Sequence, residues 1–66
     1  MISEEQRIKA IPELMVWARR DPTVKILVRV VLQSENQPSV GHLARFSPDA
    51  FDELYEESSA LARNDL

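Results

Sequence analysis

The residues best equipped for chemistry crowd one stretch, LARFSPDAFDELYEES at positions 43–58, which carries Asp49, Asp52, Glu53, Glu56 and Glu57. Coiled as a helix, Asp49, Asp52, Glu53 and Glu56 fall within roughly 100° of arc, a single negatively charged face. Two such carboxylates serve as general acid and base only when their surroundings push their pKa values apart, and a face turned to water gives no reason for that. Calcium would need a glycine-containing, aspartate-rich loop, whereas these acids lie on a helical pattern. What remains is a docking face for a basic partner, which speeds encounter and turns acidic competitors away.

A second group, Arg19, Arg20, Lys25 and Arg29, straddles Asp21-Pro22. It suits an anion site, or the complement of another copy's acidic face. No aromatic residue interleaves with these cations, so a stacking platform for single-stranded nucleic acid is missing. His42 is the only imidazole, and Ser39 is three residues away. A nucleophilic serine needs that histidine oriented by a third group, and a metal needs further converging donors. With no cysteine and one glycine in the chain, thiolate metal sites and glycine-rich phosphate loops are excluded. The expectation is therefore a protein that is not an enzyme, with no cofactor and no metal. Trp17 sits at the rim of its helix's apolar arc and is the best single anchor for a partner, because tryptophan is enriched at binding hot spots.

Positioning these groups falls to a small chain. Sixty-six residues allow one domain, expected to span 1–66, and bury only about 60% of the surface that the unfolded chain exposes. Without cysteines, the remaining supports are tight helix packing and association. The apolar fraction of 44% and charged fraction of 29% are those of a folded domain, not a disordered tail. The run ILVRVVL is broken by Arg29 and far shorter than the roughly 20 residues that span a bilayer. Charges at Glu4, Glu5, Arg7 and Lys9 occupy the place of a signal peptide's apolar stretch. A cytoplasmic protein without membrane contact is the expectation. The net charge of −3 hides an asymmetry: six Lys/Arg against four acids in residues 1–33, two against seven (Asp65 included) in residues 34–66. The halves can attract one another within a chain or between copies.

Ser3 opens a Ser-x-x-Gln capping box, which starts a helix at about Glu4. Pro12 then predicts a short helix to about Ala10 and a kink or a new start running to Arg20. Ile11, Leu14, Met15, Trp17 and Ala18 share roughly 160° of arc. Asp21-Pro22 is the clearest start signal. The following VKILVRVVLQ is ambiguous, since five β-branched residues favour a strand. A helix nevertheless stacks Lys25, Arg29 and Gln33 into one polar stripe, leaves roughly 240° apolar, follows a cap, and avoids a lone strand. Helix is the preferred reading. SENQPS is a loop, Ser39 caps a short helix VGHLARF, and Ser47-Pro48 starts a last helix to about Arg63. Its apolar face holds Ala50, Phe51, Leu54, Tyr55, Leu61 and Ala62, with Ser58 between them. The fold class is all-α: a compact bundle of four to five short helices around a central apolar helix at about 22–33.

Residues 22–63 resemble the tri-helical core of helix-turn-helix proteins, with LAR closing the second helix and Leu54, ten residues after Ala44, anchoring the third. The resemblance implies a last helix that reads DNA. That helix offers five carboxylates and no cation before Arg63, whereas DNA binding rests on neutralising phosphates. Nucleic acid is unlikely as a partner of this face. The functional expectation is a small, non-catalytic protein-protein interaction module, regulatory or inhibitory. It binds a protein partner through Trp17 and the acidic face of Asp49, Asp52, Glu53 and Glu56. The alternative is a dimeric helix-turn-helix DNA binder using Arg19, Arg20, Lys25 and Arg29. The broad apolar arc of the central helix calls for cover by a second copy or a different protein wherever the other helices fall short; homodimer and hetero-association both stay open.

Overall fold

A computed structural model describes residues 2–63, which form four helices: α1 (Glu4–Arg20), α2 (Pro22–Ser34), α3 (Val40–Phe46) and α4 (Pro48–Arg63). Asp65, counted above among the C-terminal acids, lies outside the described residues. The fold is an all-α bundle, and the valine-rich middle of the chain is helical.

Side chains cap the starts of α1, α2 and α3. Ser3 Oγ accepts from the Gln6 amide at 3.2 Å while the Gln6 side chain accepts from the Ser3 amide at 2.9 Å. Two of the four orphan donors of the first turn are thereby satisfied. Asp21 serves two helices. Its amide donates to the Trp17 carbonyl at 2.8 Å, closing α1, and its carboxylate accepts from the Thr23 amide at 2.9 Å, opening α2. A one-residue corner of this kind fixes how α1 and α2 diverge. The exit from α2 is equally defined. Asn36 takes φ 56°, the left-handed region that Asn tolerates, with the Gln37 amide donating to the Leu32 carbonyl at 2.9 Å and the Asn36 amide to that of Gln33 at 3.2 Å. These two bonds are a Schellman motif, and Pro38 then prevents the helix from resuming. Ser39 caps α3 by accepting from the His42 amide, and Ser47 alone separates α3 from α4.

Pro12 does not divide the first helical stretch in two, as a new start would. It neither ends nor restarts a helix, and α1 runs unbroken for 17 residues. The ring removes one amide donor and crowds the Ile8 carbonyl, but Ile8 and Pro12 both lie on the exposed side, where water can take that carbonyl. The opposite side ties both halves to the rest of the bundle. Arg7 before the proline and Trp17 after it both engage α4, and Leu14 and Ala18 are buried.

The core draws on every helix: Leu14 and Ala18 from α1, Val24 and Val28 from α2, Val40, Leu43 and Ala44 from α3, Phe51 and Leu54 from α4. Ala10, Ile11, Trp17, Leu27, Val31, Leu32, Ala50, Tyr55 and Leu61 pack around it. In the middle of α4's apolar face Ser58 is fully buried, and its hydroxyl has no hydrogen-bond partner among the described residues. An unpartnered buried hydroxyl costs roughly 1–3 kcal/mol. Ser58→Ala is therefore expected to stabilise the fold by about 1 kcal/mol and to raise the thermal midpoint by about 4–8 °C. Urea denaturation of the two proteins checks the gain; a lower midpoint would show that the hydroxyl bonds within its own helix.

The core does not cover the whole apolar arc of α2. Val24 and Val28 face inward and Leu27, Val31 and Leu32 are partly covered, but Ile26 is 63% exposed and Val30 54%. No helix among the described residues is long and apolar enough to cross a membrane.

Candidate binding groove

The corner at Asp21 and the turn at Asn36 together open a groove between α1 and α2, closed at one end by the α2–α3 loop. It measures about 810 Å³, within the roughly 300–1,000 Å³ common for binding pockets. Its floor and walls are apolar: Met15 and Ala18 from α1, Val28 and Leu32 from α2, and Pro38 from the loop. Its rim is cationic and amide-bearing, with Arg19 at the end of α1, Lys25, Arg29 and Gln33 along α2, then Asn36 and Gln37. No carboxylate lines it. Among the described residues none of these three cations joins an ion pair; the pairs present are Arg7–Asp52, Lys9–Glu5 and Arg45–Glu4. Three positive charges thus converge over an apolar trough with no internal neutralisation. This chemistry suits an anionic ligand that also carries apolar bulk.

Of the basic group read from the sequence, Arg19, Lys25 and Arg29 meet here, while Arg20 is exposed and lies outside the lining. The stripe Lys25, Arg29 and Gln33 was legible from helical spacing. Met15, Leu32, Gln37 and Pro38 were not singled out, because their convergence depends on the angle between two helices and on a loop.

The acidic face is divided. Asp49, Glu53 and Glu56 are exposed on α4. Asp52 instead accepts both guanidinium bonds of Arg7, at 2.7 and 2.8 Å, with the two side chains only 14% (Arg7) and 28% (Asp52) exposed. That bidentate, charge-assisted fork fixes α4 to the start of α1. It also raises the Arg7 pKa further above its ordinary value, chiefly through the hydrogen bond to Asp52. Asp52 is thus a structural tie between helices as the chain stands. Glu53 and Glu57 border a smaller hollow between α4 and α2, beside Val30, Val31, Ser34 and Glu35.

Trp17 is half-buried in the α1–α4 seam, with its ring 5.3 Å from that of Tyr55. The Tyr55 hydroxyl donates to Glu13 across the same seam. That bond, and then burial, push the phenol's pKa above its ordinary value. Trp17 is not part of the groove lining, and the most exposed of the large apolar side chains are Ile26 and Phe46.

His42 Nδ1 lies 2.7 Å from Ser39 Oγ, and that oxygen also accepts from the His42 amide as the α3 cap. The His42 ring packs 6.0 Å from the ring of Phe46. The pair thus belongs to the cap of a short exposed helix. Among the described residues no three His, Asp or Glu side chains converge in a way that could hold a metal ion. No protein-family model, no curated protein and no solved structure matches this chain, so its function has to follow from its own residues.

Proposed function

We propose that the protein is a non-catalytic interaction module, regulatory or inhibitory, that receives an acidic amphipathic segment of a protein partner in the α1–α2 groove. One observation carries the reading: Arg19, Lys25 and Arg29 surround an apolar trough of about 810 Å³ that contains no carboxylate. A helix lays its apolar face into such a trough and its flanking acids against the rim. Met15 and Leu32 give the floor; methionine's unbranched, polarisable chain adapts to differing side chains. Asp49, Glu53 and Glu56 on α4 repel the same acidic segment and so set the side from which it approaches. The recessed geometry also separates this reading from duplex DNA, whose phosphates offer nothing to the apolar floor.

The test is an NMR titration of the ¹⁵N-labelled chain with a synthetic helix-forming Leu/Glu peptide, its Leu/Lys counterpart, and a DNA duplex at low salt. The Leu/Glu peptide is expected to shift the amides of Arg19, Arg29, Gln37 and their neighbours. Arg19→Glu is expected to weaken that binding at least about tenfold, equivalent to about 1.4 kcal/mol. Shifts confined to α4 on adding the Leu/Lys peptide, or binding of the duplex alone, would overturn the reading.

A further inference from the structure

We infer that the uncovered ridge of α2 is a contact between two copies of this chain, with their α2 helices side by side and parallel across a twofold axis. Ile26 and Val30, one helical turn apart, form the ridge; both are more than half exposed on the most apolar helix of the bundle. A soluble chain rarely leaves such a ridge uncovered without a partner.

The flanks of the ridge identify the occupant. On the side toward α1 stand Lys25 and Arg29. On the side toward α4 stand Glu35, Glu53 and Glu57, around the hollow that Val30 itself borders. Glu57 also lines the next hollow along α2, beside Thr23 and Leu27. Glu57, common to both hollows, therefore lies level with Lys25 and Arg29 of the opposite flank, and Glu53 lies next along it toward the end of α2.

A twofold axis in the contact plane makes the same patch meet itself. When that axis runs along α2, the left flank of one copy falls on the right flank of its partner. Lys25 and Arg29 then face Glu57 of the partner, with Glu53 next along the same flank, and the pairing occurs twice. When the axis runs across α2 the helices become antiparallel, and like charge meets like charge. Small crossing angles preserve the match; near-perpendicular ones lose it. The ridge is short, so the contact falls below the standard interface of about 1,600 Å² and the dimer is a weak, concentration-dependent one. Its surface shares Lys25 and Arg29 with the groove, while Arg19, Gln37 and Pro38 belong to the groove alone.

The chain contains no cysteine, which makes its geometry readable by cross-linking. In the parallel arrangement residue 26 faces residue 26 of the partner and residue 30 faces residue 30. Ile26→Cys and Val30→Cys, each alone, are therefore expected to give disulfide-linked dimers under mild oxidation, well above an exposed control such as Lys9→Cys. Cross-linking only when the two variants are mixed would mean antiparallel helices and would overturn the arrangement. Sedimentation of the full chain across micromolar to millimolar concentrations is expected to show a mass rising toward that of two chains, and Ile26→Glu with Val30→Glu to abolish the rise. Both positions are exposed, so circular dichroism should confirm an intact fold. A mass independent of concentration in the unaltered chain would overturn the contact altogether. The charge argument has its own readout. Lys25→Glu/Arg29→Glu and Glu53→Lys/Glu57→Lys chains should each be monomeric alone and dimeric when mixed; failure of the mixture to associate would sink the flank pairing. Arg19→Glu should leave the dimer unchanged, because Arg19 belongs to the groove alone, and Ile26→Glu should leave peptide binding unchanged at concentrations where the unaltered chain is a monomer, so the two proposals fail separately.

Discussion

Phe51→Ala is expected to remove a large part of the chain's stability, leaving the fold marginal or lost in dilute buffer. Phe51 is 1% exposed and is the largest fully buried side chain of the core, with its ring stacked 6.4 Å from that of Tyr55. Truncating a buried phenylalanine removes about 3–5 kcal/mol, partly lost transfer energy and partly the cavity left behind. A chain of 66 residues has roughly 3–10 kcal/mol in total, and here no disulfide limits the unfolded ensemble. The hollow cannot readily collapse, because Phe51 lies between α4 and its neighbours and α1, α2 and α3 all pack on α4. Far-UV circular dichroism with a thermal ramp checks this. The expected fall in midpoint is about 15–30 °C, or no cooperative transition at all. A fall of only a few degrees would mean that the core repacks freely and that the four-helix arrangement is less specific than its contacts imply.

The helix ends were legible because their causes are local. Ser3 with Gln6, Asp21 ahead of Thr23, and Ser39 ahead of α3 each act within about four residues, and Pro48 opens α4 at its first position. The atoms that satisfy the orphan amides are then fixed by chain order alone. The preference for helix at 24–33 was legible for a related reason: only a helix gathers Lys25, Arg29 and Gln33 on one stripe, and that stripe indeed lines the groove. The candidate site was less legible because it depends on separations that sequence spacing does not encode. Asp52 looked like one member of an acidic face, but its partner Arg7 is 45 residues away. The rim position of Trp17 is local, but the ring that covers part of it, Tyr55, comes from α4. Met15 and Pro38 meet across the groove only because the Asp21 corner and the Asn36 turn set two angles at once. The apolar excess of α2 was legible in kind but not in place. The width of its apolar arc set how much cover was needed, and only packing decided that the other helices fall short at Ile26 and Val30.

Pro12→Ala tests how far packing has overridden local preference in α1. A proline inside a helix is about 3 kcal/mol worse than alanine, yet α1 continues through it. Arg7 grips Asp52 on one side of the proline, and Leu14, Trp17 and Ala18 engage the core and α4 on the other. Those contacts hold both halves in one continuous helix against the ring's preference. Alanine restores an amide that can donate to the Ile8 carbonyl and relieves the crowding there. Against this, proline also restricts the unfolded chain, an advantage of roughly 0.4–1 kcal/mol that alanine gives up. The net expectation is a gain of about 2 kcal/mol, seen as a thermal midpoint higher by about 8–15 °C and slower amide exchange across residues 8–14. Because Pro12 is exposed and lies outside the groove lining, binding of the Leu/Glu peptide should not change. A lower midpoint would mean that the proline ring sets a bend on which the packing of Arg7 and Trp17 against α4 depends. In that case the Arg7–Asp52 fork and the Trp17–Tyr55 contact should weaken together in the variant, because one straightened helix cannot keep both in register.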